Sequence, residues 1–161
     1  TISPKAVYSG LKKALENYPK KGENIASEED KRLELLDGGV KLDKEKALKS
    51  DDYIFIPVYN EKEEEIGCVI SCKTNGYNGE IKFDMGITTD GKISGIKITK
   101  SSETGGLGAI VEEKKWQDMW KGRDVKYEFN EETDCEAGAT TSPRAVYKEM
   151  NRVLGVYDKI K

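Results

Sequence analysis

Cys135 to Val146 read CEAGATTSPRAV, a run of small and hydroxyl-bearing residues leading into a helix-like stretch. Ser142 is placed to cap that helix and Pro143 to take its first position. A helix start presents free N–H groups and the positive end of its dipole. Gly138, Ala139, Thr140, Thr141 and Ser142 could therefore hold a negatively charged group. Pro143 has no N–H and restricts such a nest to its neighbours. Arg144 either adds a counter-charge or is simply a solvated helix residue. Thr140 has a hydroxyl but no imidazole base, because the chain contains no histidine. It would be a poor unaided nucleophile, and a phosphate bonded to it would come from outside catalysis.

A second stretch, SSETGGLG, places Gly105, Gly106 and Gly108 in one short loop before another helical segment. Glycines allow unusual dihedrals and close approach of backbone to a ligand. No Gly-Lys-Ser/Thr follows, so this is not a Walker loop, and the spacing is not that of a dinucleotide fingerprint. Either loop alone reads equally well as a plain turn. Together they could bracket one phosphorylated aromatic ligand.

The 161 residues suit one domain, with 36% apolar and 35% charged residues and a formal charge of −3. That balance gives no support to nucleic-acid binding. No run of eighteen apolar residues is present. The chain begins with Thr, which reads as a processed or trimmed product from which a targeting or anchoring segment could have been removed. Lack of histidine excludes mixed His/Cys zinc sites and Ser-His-Asp triads, and no catalytic or metal-ligating set is assigned. Cys68 and Cys72 on one strand would share a face roughly 13 Å apart, too far for a disulfide. With Cys135 they read as core or half-buried thiols.

The elements that must position the two loops follow from hydrophobic period. Val7, Leu11, Ala14 and Leu15 recur at helical spacing between Ser3-Pro4 and Pro19. Residues 21–52 are charged and broken by Gly38-Gly39, and are expected to form short helical pieces and loops. YIFIPVYN reads as a strand with Pro57 at an edge or irregularity. Ile66, Cys68, Ile70 and Cys72 alternate. Ile81, Phe83 and Met85 form one arm of a hairpin, Asp90-Gly91 its turn, and Ile96 and Ile98 the other arm. Residues 109–122 suit a short helix closed by Gly122, with Trp116 and Trp120 on one face, read as core packing with ligand stacking as the alternative. Val125, Tyr127 and Phe129 alternate as a further strand. Val146, Met150, Val153 and Leu154 give the last helix its apolar stripe. The outline is a single α+β domain, 1–161, with a twisted, mainly antiparallel sheet flanked by helices: residues 1–50 mainly helical and charged, 51–161 the sheet and the site.

Three of these segments, in order, carry a resemblance. GYNGEIKFDMGITTDGKISGIKI, SETGGLG and AGATTSPRAV look like the central sheet segment, the Glu-Thr-Pro-Gly-Leu-Gly loop and the Ser/Thr-Gly-Ala-Thr motif of one family. The chain resembles the FMN-binding domain of the G subunit of Rnf electron-transport complexes and of the related C subunit of sodium-pumping NADH:quinone reductases. The likeness covers most of the chain, including an N-terminal segment similar to the one following the family's membrane anchor.

The resemblance implies FMN joined by a phosphoester to Thr140, made by a separate flavin transferase that uses FAD and magnesium. It places Glu103, Thr104, Gly105, Leu107 and Gly108 near the flavin, with Gly138, Ala139, Thr141 and Ser142 shaping the attachment turn. It implies an electron-carrying component of a membrane-bound ion-translocating complex, anchored by an upstream helix and facing outside the cytoplasm, rather than a freestanding enzyme. This chain departs from the family pattern at Ala137, where Ser or Thr is usual, at Gly106, where Pro is usual, and at Ser101 and Ser102, where histidine is frequent. A cofactor-free module of the same fold and a noncovalent FMN reductase are the alternatives.

Overall fold

The structure, a computed structural model, describes residues 31–103 and 108–161. The chain divides into two compact units, Thr1–Lys31 and Arg32–Lys161. The expected N-terminal helix lies outside the described residues, as do Thr104, Gly105, Gly106 and Leu107. Residues 32–161 form an α+β domain built on a six-stranded antiparallel sheet. In chain order the elements are β1 (Lys41–Leu42), β2 (Leu48–Ser50), β3 (Tyr53–Tyr59), β4 (Glu65–Asn75), β5 (Glu80–Thr88), β6 (Ile93–Lys100), α1 (Lys114–Asp118) and α2 (Thr141–Ile160). The spatial order is β1-β3-β4-β5-β6, with β2 also paired to β3.

The two long hairpins explain themselves. β4 and β5 pair from Gly67–Thr88 to Asn75–Glu80, which sets core residues opposite one another: Cys68 opposite Ile87, Ile70 opposite Met85, Cys72 opposite Phe83. β5 and β6 are joined through Thr88–Lys92, where Gly91 takes a left-handed φ of 84° and its N–H donates to the Thr88 carbonyl at 2.9 Å. Pro57 is tolerated inside β3 because it falls between the two short outer partners: β2 pairs with 53–55 and β1 with 58–59. The ladder is also irregular beside it, between Val58 and Tyr59.

One sheet face carries Phe55, Cys68, Ile70, Cys72, Ile81, Phe83, Met85 and Ile87. α2 lays Val146, Met150, Val153 and Leu154, the expected stripe, against this layer. Each such side chain taken from water contributes on the order of 1.5–3 kcal/mol before ordering costs. Trp116 and Trp120 close one end of this core, edge to face with centroids 5.4 Å apart, so this pair packs in the core. The opposite face is covered by a smaller cluster of Leu36, Ile56, Val58 and Val69.

Three local expectations are corrected. Residues 41–50 contain β1, β2 and a 3-10 turn rather than helical pieces, because β3 offers its outer edge to them. The helix at 109–122 is split into a 3-10 turn, Ala109–Glu112, and α1, since Glu113 is extended at φ −80°, ψ 133°. Residues 125–129 alternate between half-buried and exposed but pair with no described strand. The Asp124 carboxylate accepts from the Lys126 N–H at 2.9 Å, turning the chain, and the Tyr127 carbonyl accepts from the Tyr147 hydroxyl at 2.8 Å.

All three cysteines are buried free thiols. Burial, followed by the nearby Glu65 charge, pushes the Cys68 thiol up to about 12, and burial raises Cys72 as well. Both therefore stay protonated and poorly nucleophilic near neutrality. A thiol reagent at pH 8 should label Cys68 and Cys72 only as fast as the domain unfolds. Rapid labelling of either in the native protein, read by peptide mass, would show that β4 is not held as described. Because the folded thiol resists ionisation, its contribution to stability is full below about pH 9 and drains as pH rises toward 12.

Candidate functional site

The turn before α2 is set by its glycine. Glu136 and Ala139 form an isolated antiparallel bridge, with the Ala139 N–H donating to the Glu136 carbonyl at 3.0 Å. Gly138 sits at the third position of this four-residue turn with φ 79°, the left-handed value that a type II turn demands there. A side chain at 138 would meet nothing within 4 Å, so backbone conformation rather than crowding accounts for the glycine. Ala139 is buried, Thr140 half-buried and Thr141 exposed.

The helix starts two residues earlier than its sequence suggests. Thr140, not Ser142, is the N-cap, and Pro143 is third in the helix rather than first. Thr140 caps with its backbone: its carbonyl accepts from the Arg144 N–H at 3.0 Å, while its side chain makes no capping bond. An N-cap threonine ordinarily spends its hydroxyl on the second or third helical N–H. Here that hydroxyl is left for another partner. The Thr141 and Ser142 amides belong to the first turn and have no helical acceptor.

Ser142 is occupied differently. Its hydroxyl donates to Glu103 Oε1 at 2.7 Å and accepts from the Tyr77 N–H at 3.0 Å. The Glu103 carboxylate also accepts from the Asn78 N–H, at 3.3 Å to Oε1 and 3.2 Å to Oε2. The Glu103 N–H in turn donates to the Ser101 hydroxyl at 3.1 Å. One buried carboxylate thus ties three segments together: the β4–β5 turn, the loop after β6 and the start of α2. Gly108 closes the same joint. Its φ is 93°, and a Cβ there would lie 2.7 Å from Ser142 Oγ. The two loops singled out from sequence therefore meet, through Glu103, Gly108 and Ser142.

On the other side of Thr140 lies an open groove lined by Thr74, Thr140, Thr141, Arg144, Ala145, Lys148, Glu149 and Arg152. Arg144 is ion-paired with Glu131 and its guanidinium lies 4.9 Å from the Phe129 ring centroid. Arg152 sits 3.8 Å from Glu149 and over the Tyr53 ring at 5.4 Å. Glu149 also accepts from the Tyr53 hydroxyl at 2.5 Å. Burial, then this bond, pushes the Tyr53 phenol upward.

Sequence reasoning missed Gly76, Tyr77 and Asn78 as parts of the site, and Thr74, Lys148 and Arg152 as groove walls. The spacing of Arg144, Lys148 and Arg152 at four-residue intervals was a visible signal that these cations share one helix face. Nothing local marks the 76–78 turn as a partner of Ser142.

Residues 76–155, which hold the joint, the Gly138 turn and most of α2, match the FMN-binding domain family. The chain is 30% identical over 123 residues to the G subunit of the Na(+)-translocating ferredoxin:NAD(+) oxidoreductase complex of Acetobacterium woodii, covering 70% of this chain and 59% of that protein. It is 33% identical over 91 residues to the G subunit of the ion-translocating oxidoreductase complex of Shewanella oneidensis, covering 50% and 43%. The chain spans about half the length of the curated relatives it matches. Among solved structures, Shewanella oneidensis NqrC superposes with a TM-score of 0.55 at 18% identity, covering 74% of this chain and 67% of that one. At that identity the likeness speaks for the fold. Among the described residues, no helix is long and apolar enough to cross a membrane. Residues 76–155 are thus a domain of the FMN-binding domain family.

Proposed function

We propose that this domain is an electron-transfer module carrying FMN through a phosphoester to Thr140, within a membrane-bound ion-translocating oxidoreductase complex of the Rnf type. The observation that carries the reading is the Thr140 hydroxyl, half-buried at a helix start and released from capping. A phosphate there would meet the Thr141 and Ser142 amides and the positive end of α2. Gly138 gives the turn its shape. Glu103, Gly108 and Ser142 hold the opposing loop against it. Tyr77, 61% exposed beside this joint, offers an aromatic face to a planar ring.

FMN, when bound, supplies one- and two-electron chemistry, and the protein supplies position and field. Thr140 lacks a histidine to take its proton, which fits attachment by a separate flavin transferase. Complex partners, an upstream membrane anchor and an extracytoplasmic face belong to the same proposal, supported by the likeness to the G subunits of these complexes.

Coexpression with a flavin transferase should raise the intact mass by FMN minus water, on the peptide containing Thr140. Thr140→Val should remove that gain while leaving the thermal transition within a few degrees. An unmodified wild-type chain beside a modified control substrate, or full modification of Thr140→Val, would overturn the assignment. Colour that leaves with the supernatant on acid precipitation would show a noncovalent flavin instead.

A further inference from the structure

Three lysines stand in a row across the middle of the sheet: Lys73 of β4 faces Lys82 of β5, and Lys82 faces Lys100 of β6. Strand alternation puts them on the face that carries Val69, away from α2. All three are exposed. Neighbouring strands lie about 4.8 Å apart, so the row spans about 10 Å. Like charges directly opposite one another destabilise a sheet. Glu80 answers the row in part, 3.9 Å from Lys82 and 3.8 Å from Lys100. Lys73 makes no ion pair or hydrogen bond among the described residues. Beside the row, Asp84 faces Lys97 and accepts from the Ser71 hydroxyl at 2.7 Å. Four lysines against two carboxylates leave this face positive on a chain whose net charge is −3. Neither packing nor pairing within the fold calls for the row, which points to a partner outside it.

The composition of the patch names the partner's chemistry. Interfaces between proteins are depleted of lysine and enriched in arginine and aromatic rings. The outward strand positions here carry neither an arginine nor an aromatic ring. Lysine is a point charge on a flexible stem and needs no fixed counterpart. That suits anionic lipid headgroups, to which each nearby lysine strengthens attachment about fivefold. Ile54 of β3, 48% exposed on the same side of the sheet, adds an apolar contact at the rim. We infer that this row docks the domain onto a bilayer surface that contains anionic phospholipid. Lys73 and Lys82 lie two residues, about 7 Å, from the Asn75–Glu80 end of their hairpin. There Tyr77 and Asn78 meet Ser142 and Glu103. Docking through the row therefore keeps the Thr140 end of the domain near the lipid surface. The surface does not depend on the flavin reading and is tested without it.

The chain is sedimented with vesicles of phosphatidylcholine alone and of phosphatidylcholine mixed with phosphatidylglycerol, at low and at physiological salt. It should bind the anionic vesicles, ignore the neutral ones and come off as salt rises. Lys73→Gln, Lys82→Gln and Lys100→Gln together should weaken binding more than about tenfold. The matched change to Gln at Lys92, Lys159 and Lys161, around the β5–β6 turn and the end of α2, alters net charge equally. That variant should bind within about twofold of wild type. Removing the row should leave the thermal midpoint unchanged or raise it. A lowered midpoint would show that the lysines serve the sheet itself and would overturn the inference. So would a wild type that ignores anionic vesicles, or equal losses in the two triple variants. Binding to polyglutamate but not to anionic vesicles would give the face to an acidic protein and overturn the lipid assignment. Flavin at Thr140 is decided separately, by the mass measurement.

Discussion

Asp134→Ala should cost about 3 kcal/mol, the largest loss expected from any single polar substitution in this fold. Asp134 is fully buried. Its Oδ1 accepts from Arg123 at 3.2 Å and Thr133 at 3.1 Å, and its Oδ2 from the Tyr127 hydroxyl at 2.5 Å and the Asn130 N–H at 2.8 Å. Its carbonyl accepts from Trp116 Nε1 at 2.7 Å. Arg123 stacks over the Trp120 and Tyr127 rings at 4.5 and 3.9 Å. Alanine would strand four donors around an empty volume, and Arg123 is only 23% exposed, so water compensates it incompletely. For a domain this size the midpoint should fall by about 10 °C. A loss below about 1 kcal/mol in denaturant titration would mean that the donors find water and that the cluster is not a hub.

The same carboxylate fixes a pH dependence. Burial works to raise its pKa, but the Tyr127 and Asn130 bonds and the Arg123 charge outweigh it and hold the group below its ordinary value. A depressed carboxyl contributes stability that is complete above its unfolded pKa, near 4, and is lost as pH falls through the lower folded value. The gap between wild type and Asp134→Ala should therefore be full at pH 6 and narrow below about pH 4. Asp134 immediately precedes the Cys135–Ala139 segment, so its bonds also steady the turn that delivers Thr140.

Particular residues show where local sequence sufficed. The β5–β6 hairpin was legible because period-two alternation and Asp90-Gly91 are both local signals. α2 was legible because Val146, Met150, Val153 and Leu154 recur at helical spacing. The 125–129 segment misled because its alternation is real but serves aromatic packing instead of a ladder. Tyr127 meets Trp120 at 5.7 Å and Phe129 meets Tyr147 at 5.4 Å, with no described strand alongside. Ser142 misled for the opposite reason. Local rules make it a cap, but its hydroxyl bonds to Glu103, thirty-nine residues away in sequence. Long-range partners of that kind leave no mark in spacing or composition.

That joint is the object of the second large effect. Gly76→Ala should destabilise the domain by about 2 kcal/mol and loosen the start of α2. A Cβ at 76 would lie 2.1 Å from Glu103 Oε1, 2.5 Å from Ile81 Cδ1 and 2.8 Å from Ser142 Oγ. Ile81 is fully buried and has nowhere to go. The Glu103 carboxylate must therefore move, and moving it breaks its bonds to Ser142 and Asn78. Amide exchange at Tyr77 and Asn78 should quicken more than exchange in β5, and the flavin attachment proposed at Thr140 should fall with it. Ser142→Ala removes one of the crowded atoms, at a cost of about 1 kcal/mol for its lost bonds. If the clash runs through the joint, the double variant should be less damaged than the sum of the two by more than about 0.5 kcal/mol. Strict additivity would place the strain on Ile81 alone, and a Gly76→Ala protein as stable as wild type would show that the three segments are not locked together by Glu103.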